Sequence, residues 1–382
     1  MKRTLFAMFV VSVLALPAAA QGRYTVTGNI RNAEGETVYL VINAPSASAT
    51  DSTKVVNGTF RFAGETDATY RHATVVIGQK TDYSMVCHAE LALEAADFTL
   101  TGDRNAKEDI IVSGGKLQDE LKAIDEEMKV FVGPLSRLNE EMYKGGDRDS
   151  LNALMEPYRK QYAEYTSRFY RERPASFFAT RYLMFDMSRM AYDDLKAAWD
   201  ALDPQVRKYG DEADRIEKEL AALAKVRPGC PAPDFTAPDI NGKPFTLSSL
   251  KGKVVILDFW ASWCGPCRRS NPHMREIHDR YHSRGLELVY VSDDDSKPEA
   301  WHKAVEQDKL TGEGYHHVLR GMKWDRSKGI EGIDHTNDIS DRYAIHFLPT
   351  KYLIDKKGNI VCRIDEDKEK DIDAMIEKLL AE

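Results

Sequence analysis

The stretch Val254–Pro272, VVILDFWASWCGPCRRSNP, decides how the C-terminal part of this chain folds. It begins with Val254–Leu257, a continuous run of β-favouring apolar residues that is typical of a strand buried on both faces of a sheet. Gly265-Pro266 then favours a turn, and Arg268–Arg284 can run as a helix that starts at Cys264. The sequence therefore predicts a central strand followed by a helix, with Cys264 where the two meet.

Two cysteines fall in the first turn of this predicted helix. The unpaired backbone N–H groups and the positive end of the helix dipole favour a thiolate at Cys264. We therefore expect a lowered pKa for Cys264, with Arg268 as a second contributor, and predict that it is the nucleophile. Cys267 lies one turn further along the same face, so it can resolve a mixed disulfide formed by Cys264.

The segment Asp258–Cys267, DFWASWCGPC, resembles the active-site segment of the thioredoxin superfamily. Pro272 stands where that family kinks its helix, and Phe347–Thr350, FLPT, resembles the family's cis-proline loop. The resemblance implies a fold, a pair of redox cysteines and a loop whose backbone pairs with the substrate chain. The residues that it implies for substrate binding are Trp263, Gly265, Pro266, Leu348 and Pro349.

Asp258 matches the buried acid of thioredoxins and lies at the end of the apolar strand. Burial there should raise the pKa of its carboxyl group, which could then take the proton from Cys267 during resolution. The alternative is an ordinary aspartate at a strand end. The predicted catalytic residues are therefore Cys264, Cys267 and Asp258, and the first two form the predicted redox disulfide.

Metal and haem sites are disfavoured by the other cysteines and by the residue after the pair. Cys87, Cys230 and Cys362 are scattered singly and offer no second pair for zinc. A c-type haem needs histidine directly after the second cysteine, where this chain has Arg268. We expect no metal and no cofactor, and the sequence leaves open whether Cys230 pairs with Cys362.

Two other functions remain as alternatives. Pro231–Phe235, PAPDF, resembles the start of peroxiredoxins, whose peroxidatic cysteine follows a Pro-x-x-x-Thr-x-x-Cys pattern. Leu257 and Ala261 do not match that pattern, so a thiol peroxidase is the weaker interpretation. The other alternative is a non-catalytic envelope adaptor, in which the upstream regions bind a partner and the cysteines are vestigial.

The N-terminus predicts export. Met1–Ala20 has basic residues, then an apolar run and small residues before Gln21, which is typical of a signal peptide cleaved after Ala20. An uncleaved anchor is the alternative. We expect a periplasmic protein with disulfide-containing envelope proteins as partners and a membrane thiol electron donor, since an exported dithiol needs outside electrons to reduce. The net charge of −8 argues against nucleic acid as a partner, and the oligomeric state stays undetermined.

Residues 21–114 show short alternating segments separated by turn residues, which predicts an antiparallel β domain. The segments Asn57–Phe62, Leu91–Glu94 and Phe98–Asp103 resemble the N-terminal β domain of uncharacterised function (DUF4369) that precedes many exported bacterial thioredoxin-like proteins. We expect this domain to serve docking or spacing.

Residues 115–228 change to helical periodicity. Gly145-Gly146-Asp147 and Arg173-Pro174-Ala175 divide the region into separate helices. The apolar stripes predicted to pack these helices are Leu117, Leu121, Ile124 and Met128, and Leu151, Leu154, Tyr158, Tyr162, Tyr165 and Phe169.

Residues 229–382 then form the predicted α/β thioredoxin-like domain, with a mixed central sheet flanked by helices. Asp293–Asp341 is longer than a bare thioredoxin core needs and contains a predicted helix at Glu299–Gln307. Such an insertion resembles the TlpA/ResA-like branch, which reduces cytochrome c precursors or other envelope disulfides. That branch often has glutamate where this chain has Ser270, which argues against cytochrome c maturation. His335 and His346 are candidates to line the site.

Together these observations predict an exported thiol-disulfide oxidoreductase that reduces or exchanges protein disulfides. Whether it acts as a reductase, an isomerase or an oxidase in the cell is not determined by the sequence. The Gly-Pro dipeptide between the cysteines favours reduction.

Overall fold

The computed structural model describes residues 22–43, 49–66, 70–78, 87–105, 110–209, 212–364 and 371–382. The predicted signal peptide, Met1–Ala20, lies outside the described residues. The chain divides into two compact units, Met1–Leu183 with Ala201–Asp214, and Met184–Asp200 with Arg215–Glu382. The helical region predicted at 115–228 is therefore shared between the units, and its predicted end at residue 228 does not coincide with the division.

Eight strands form two four-stranded sheets in the first unit, with the orders β4-β1-β7-β8 and β3-β2-β5-β6. The strands are β1 Gly22–Arg31, β2 Thr37–Ile42, β3 Ala49–Lys54, β4 Thr59–Thr66, β5 Arg71–Ile77, β6 Cys87–Leu93, β7 Asp97–Asp103 and β8 Ile111–Ser113. The strands pair antiparallel, as predicted, except that β1 and β7 run parallel. Alternation alone does not encode the direction of a partner strand, so the sequence did not reveal this pair.

One apolar cluster fills the space between these sheets. Alternate residues of β1, including Val26 and Ile30, point into it and are fully buried. Gly28 stands between them, and a Cβ atom there would overlap the Phe60 ring. The glycine therefore lets the ring of Phe60 lie directly against the strand.

Six helices follow: α1 Lys116–Tyr143, α2 Arg148–Glu172, α3 Ala179–Met187, α4 Tyr192–Ala201, α5 Pro204–Tyr209 and α6 Ala213–Leu223. Both predicted breaks are confirmed, and Asp147 caps α2 by accepting the backbone N–H of Ser150 at 2.9 Å. The placement of Leu154 in the buried stripe is wrong, because this residue is 57% exposed and Met155 is buried instead. Leu151 is buried as predicted, and both Leu154 and Met155 fit a helical spacing from it, so the spacing alone did not distinguish the two.

The second unit is built on a five-stranded mixed sheet of order β13-β12-β11-β16-β17. Its elements are β9 Thr236–Pro238, β10 Pro244–Thr246, β11 Val254–Trp260, α7 Gly265–Tyr281, β12 Leu286–Ser292, α8 Pro298–Gln307, β13 Tyr315–Leu319, β14 Lys323–Trp324, β15 Ile333–Asp334, α9 Ile339–Arg342, β16 Thr350–Ile354, β17 Ile360–Ile364 and α10 Ile372–Ala381. β11, β12 and β13 run parallel, whereas β16 and β17 are antiparallel to their neighbours. Every residue of β11 and β12 is buried, which confirms the predicted central strands.

The two faces of this sheet pack against different elements. Val254, Ile256 and Trp260 join the apolar cluster formed with α7, α8 and α10. Phe259 faces the other way, where its ring lies 5.3 Å from that of Tyr343. Asp258 alternates with Phe259 and therefore lies on the face covered by α7.

Among the described helices, none combines the length and the apolar character that a bilayer crossing requires.

Candidate active site

Cys264 and Cys267 form a disulfide at the start of α7. Cys264 is the residue that caps this helix, and its Sγ accepts the backbone N–H of Cys267 at 3.2 Å. Helix α7 has 17 residues, so its dipole and its first-turn N–H groups point at this sulfur. A thiolate formed at Cys264 on reduction would be stabilised there.

The surface around the buried disulfide is formed by its neighbours in the chain. Cys264 and Cys267 are only 4% and 1% exposed, so Cys264 is the more accessible of the two. Gly265 and Pro266 are exposed, and Trp263 is 65% exposed while its Nε1–H donates to the Asp293 carbonyl at 3.3 Å. These three residues form a rim against which a substrate chain can lie.

The loop before β16 lies at the same end of the sheet as the cysteines. Thr350 is the register partner of Phe259, so the residues before Thr350 lie beside the segment that leads from β11 to Cys264. The Leu348–Pro349 peptide bond is cis, as predicted. Leu348 packs against the apolar cluster that contains both cysteines. The structure thus brings the predicted proline loop to the cysteine pair.

Asp258 has a cationic partner that sequence reasoning missed. It is 2% exposed, and its register partner on β16 is Lys351, which is 6% exposed. The Lys351 Nζ lies 3.7 Å from Asp258 Oδ2 and 3.4 Å from Ser270 Oγ. Ser270 Oγ in turn donates to the Cys267 carbonyl at 2.9 Å. A short polar network therefore joins Asp258 to the helical turn that carries Cys267.

This network changes the expectation for the Asp258 carboxyl group. Burial by itself favours the neutral acid, and a raised pKa of Asp258 was expected on that basis. The Lys351 ammonium group favours the carboxylate, so the two effects oppose each other at this residue. A lysine inside the fully buried strand β16 was the available signal, because an unpaired ammonium group would be very unfavourable there.

Arg268 is engaged away from Cys264. Its guanidinium group binds both carboxylate oxygens of Asp308, one of them at 2.6 Å, and donates to the Ser262 carbonyl at 3.2 Å. Asn271 Nδ2 also donates to Asp308 at 2.6 Å. The Arg268 charge is therefore largely balanced by Asp308, and the helix N-terminus is the main source of the predicted effect on the Cys264 pKa.

The segment before Cys264 is held by a buried acid at the end of β12. The backbone N–H and the hydroxyl of Ser262 both donate to Asp294 at 2.7 Å, and the Ser292 hydroxyl donates to the same carboxylate at 2.6 Å. These bonds fix the path of the chain into α7. Asp294 was not singled out from the sequence, since an acid in a run of three aspartates is usually a solvated loop residue.

His335 belongs to an ion-pair cluster of the insertion. Its Nδ1 lies 2.9 Å from Asp338 and 3.0 Å from Asp341. Burial by itself would raise the pKa of the Asp338 carboxyl, but bonds from Arg320 and His335 hold that pKa below its usual range. His335, Asp338 and Asp341 lie close enough to hold a metal ion. The Arg320 charge already balances the buried carboxylate, so the cluster is explained as ion pairs.

His346 precedes the proline loop and is paired with helix α6. Its Nε2 lies 2.8 Å from Glu219, whose side chain is 8% exposed. The hydrogen bond to Glu219 raises the pKa of His346. The bond to Glu219 therefore ties the residue just before the proline loop to helix α6.

Cys230 and Cys362 are not joined to each other and remain thiols. Cys230 Sγ points to the Ala224 carbonyl at 3.7 Å, and Cys362 Sγ lies 3.9 Å from Met375 Sδ. The pairing that the sequence left open does not occur in this structure.

Comparisons with known proteins match both parts of the chain. The model of the AhpC/TSA family matches residues 228–363, and that of a domain of unknown function, DUF4369, matches residues 24–121. Thiol-disulfide oxidoreductase ResA of Bacillus anthracis is 33% identical over 152 residues, which cover 40% of this chain and 78% of ResA. ResA of Bacillus subtilis (strain 168) is 34% identical over 142 residues, which cover 37% of this chain and 69% of that ResA.

A solved structure is also similar to part of this chain. The thioredoxin domain of a thiol-disulfide oxidoreductase from Bacteroides vulgatus is 27% identical, covers 39% of this chain and 98% of that chain, and gives a TM-score of 0.32.

Proposed function

The chain belongs to the ResA-like thiol-disulfide oxidoreductases, and we propose that it reduces or exchanges protein disulfides of the cell envelope through the Cys264–Cys267 pair. The observation that carries the proposal is the position of Cys264. Its sulfur caps α7 and accepts a first-turn N–H, beside a loop with a cis proline. This is the arrangement that a nucleophilic thiolate requires.

The exchange cycle uses three side chains. In the reduced protein the Cys264 thiolate attacks one sulfur of a substrate disulfide, which forms a mixed disulfide and releases the other substrate sulfur as a thiolate. Cys267 then loses its proton to Asp258 and attacks Cys264 Sγ, so that the second substrate sulfur leaves and the Cys264–Cys267 disulfide forms. Two electrons and two protons from an outside thiol donor restore the dithiol.

Substrate binding is assigned to the rim of the site. Trp263, Gly265 and Pro266 offer an exposed surface, and the backbone of Leu348 and Pro349 is proposed to pair with an extended substrate segment. Such backbone pairing tolerates many substrate sequences, which suits a general exchanger of protein disulfides.

The proposed location is the periplasm, with the signal peptide cleaved after Ala20, disulfide-containing envelope proteins as substrates and a membrane thiol protein as electron donor. The apolar N-terminal run and small residues of the sequence support export. The proposed domains are 21–114, 115–228 and 229–382, with docking or spacing as the role of the first.

The proposal is tested with the mature protein in an insulin-reduction assay with dithiothreitol. Cys264→Ser is expected to abolish catalysed reduction, while Cys267→Ser should still attack and accumulate mixed disulfides with envelope proteins. Cys230→Ser is the matched control, since it removes a thiol outside the site and should leave the rate unchanged. Wild-type protein that does not accelerate reduction would favour the adaptor alternative and overturn this proposal.

A thiol peroxidase is the alternative raised by Pro231–Phe235, which lies within the residues that the AhpC/TSA family model matches. Ala261 stands where peroxiredoxins have the threonine of their active-site pattern. We expect hydrogen peroxide to oxidise Cys264 no faster than it oxidises an ordinary thiolate. Rapid peroxide consumption that depends on Cys264 would establish the peroxidase instead.

A further inference from the structure

A row of four polar side chains crosses the interior of the C-terminal sheet. Lys351, Asp258, Tyr290 and His317 are successive register partners on β16, β11, β12 and β13. Neighbouring strands lie about 4.8 Å apart, so consecutive members of the row are side by side. They are 6%, 2%, 0% and 3% exposed. Four such groups in a line inside a sheet need hydrogen-bond partners.

The middle of this row contains polar atoms with no protein partner. Among the described residues, neither Tyr290 Oη nor His317 Nδ1 has a hydrogen bond, and the same is true of Trp260 Nε1 and Asn271 Oδ1. The Tyr290 ring lies 5.8 Å from that of Trp260 and 5.0 Å from that of His317. Asn271 is bound to Asp308, whose charge acts on Tyr290. The rings of Trp260 and His317 therefore flank Tyr290, and Asn271 is bonded to an acid whose charge acts on it.

The unpaired atoms are two donors and two acceptors. Burial, with the Asp258 charge adding to it, raises the pKa of Tyr290 well above its usual range, so the phenol keeps its proton and is a donor. Trp260 Nε1–H is a donor in any state. Burial lowers the pKa of His317 to about 4, and Nε2 is engaged with the Leu310 carbonyl at 2.7 Å, which leaves Nδ1 as an acceptor. Asn271 Oδ1 is the second acceptor.

We propose that ordered water binds among these groups and joins Tyr290 Oη to Asp258, and that Tyr290 is thereby a positioning residue for proton transfer from Cys267. A water molecule can accept from two donors and donate to two acceptors at once. The inference rests on the proposed exchange function and deepens it.

The step concerned is the resolution of the mixed disulfide. The S–H bond of Cys267 breaks, its proton forms an O–H bond on Asp258, the new S–S bond forms with Cys264, and the substrate sulfur leaves with the electron pair of the bond that breaks. A hydrogen bond donated by Tyr290 through water favours the Asp258 carboxylate that accepts this proton. The groups that act on Asp258 include Lys351 from β16, which also contacts Ser270 of α7, and Tyr290 from β12. Tyr315, Asp308 and Arg275 act on Tyr290 in turn.

The test measures resolution alone. Cys264 is first converted to a mixed disulfide with thionitrobenzoate, and the release of this coloured thiol by Cys267 is followed as a function of pH. Tyr290→Phe keeps the ring and removes only the hydroxyl group. We expect the acid limb of the rate profile to move up by about one pH unit, so that release on that limb is about tenfold slower, with no change in the first attack by Cys264.

Tyr343→Phe is the matched control. Tyr343 is fully buried on the opposite face of the sheet, where its hydroxyl donates to the Pro233 carbonyl at 2.8 Å. Tyr343→Phe also loses a phenolic hydroxyl group but leaves the row of Lys351, Asp258, Tyr290 and His317 unchanged. The pH profile of its release rate should therefore follow that of the wild type. A Tyr290→Phe profile identical to that of the wild type would overturn the inference while leaving the exchange function intact. Wild-type protein that releases no thiol would instead refute the exchange function.

A high-resolution crystal structure of the wild-type protein gives a second measurement that needs no variant. We expect a water molecule within hydrogen-bond distance of Tyr290 Oη that also contacts Asp258 or a group bonded to it. A Tyr290 hydroxyl group enclosed by apolar atoms alone would overturn the inference, whatever the kinetics.

Discussion

The N-terminal sheets and the C-terminal sheet fill their interiors with different chemistry. The cluster between the sheets of β1 to β8 consists of apolar side chains, and among the described residues of these strands the buried polar residue is Thr66. The C-terminal sheet places Lys351, Asp258 and His317 in its interior together with Tyr290. The residues of both interiors are buried. The second interior, however, holds an acid, an amine and an imidazole in the sheet whose strand β11 leads to the cysteine pair.

This difference separates an interior that consists of apolar side chains from one that also holds ionisable groups. An apolar interior stabilises by removing surface from water and is indifferent to pH. Buried ionisable groups reduce stability unless they are paired, so their presence in the sheet that leads to the Cys264–Cys267 disulfide favours a functional role. The following predictions test whether the C-terminal interior differs from the N-terminal one in this way.

The largest effect is expected for Lys351→Met. It leaves the buried Asp258 carboxylate without its cation, and breaking a buried ion pair costs about 3–5 kcal/mol of unfolding free energy at neutral pH. Urea unfolding should show a smaller loss at acid pH, where the carboxyl group is protonated and needs no cation. Lys328→Met is the control, since Lys328 pairs with Asp325 at an exposed site. Equal losses for the two variants would contradict a distinct role for the buried pair.

A cavity in the N-terminal cluster should lower stability without changing the chemistry. Phe98 is 1% exposed, and Phe98→Ala is expected to lower the unfolding free energy of its unit by about 3–5 kcal/mol. Insulin reduction per folded molecule should stay at the wild-type rate. Tyr143→Ala removes an aromatic residue that is 93% exposed in the same unit and should change little. A matching fall in activity of folded Phe98→Ala protein would show that the N-terminal interior is not chemically inert.

His317 should give the C-terminal unit a pH dependence that the N-terminal cluster lacks. Burial lowers the pKa of His317 from 6.5 to about 4, so the unfolded chain binds a proton in this interval that the folded chain does not. Stability should therefore fall as pH falls from 6.5 towards 4, by about 3 kcal/mol in all. In His317→Gln, the unfolding free energy measured between pH 6.5 and 4 should no longer show this fall. In His302→Gln, which changes an exposed histidine, the fall should remain.

The smallest effect is expected at the pair formed by His346 and Glu219. Because Glu219 raises the pKa of His346, the pair stabilises the folded chain below the unfolded pKa of histidine and loses this contribution as pH rises through the folded value. The His346 side chain is 40% exposed, so the contribution should be about 1 kcal/mol or less. Glu219→Gln should lower both the His346 pKa, followed by NMR, and the stability near pH 6. An equal loss at alkaline pH would contradict this origin.

Local features were predictable because they depend on residues that are close in the chain. The strand at Val254–Leu257, the turn at Gly265-Pro266 and the spacing of the two cysteines place a sulfur at a helix N-terminus whatever the rest of the chain does. The β pattern of the N-terminal region and the change to helical periodicity are also local, and both were confirmed. The burial of Met155 rather than Leu154 in α2 was not predicted, because both positions fit a helical spacing from Leu151 and only packing decides between them.

The sequence by itself determined that two cysteines lie where a buried strand meets a helix, and it predicted a redox role for them. Only the tertiary structure decided which groups surround that pair. Lys351 meets Asp258 because β16 pairs with β11 in one register, and Tyr290 and His317 continue the row because β12 and β13 pair in theirs. A shift of one residue in any of these registers would turn the side chain to the other face of the sheet. Register depends on contacts between distant segments, so the electrostatic surroundings of the cysteines became known only from the folded chain.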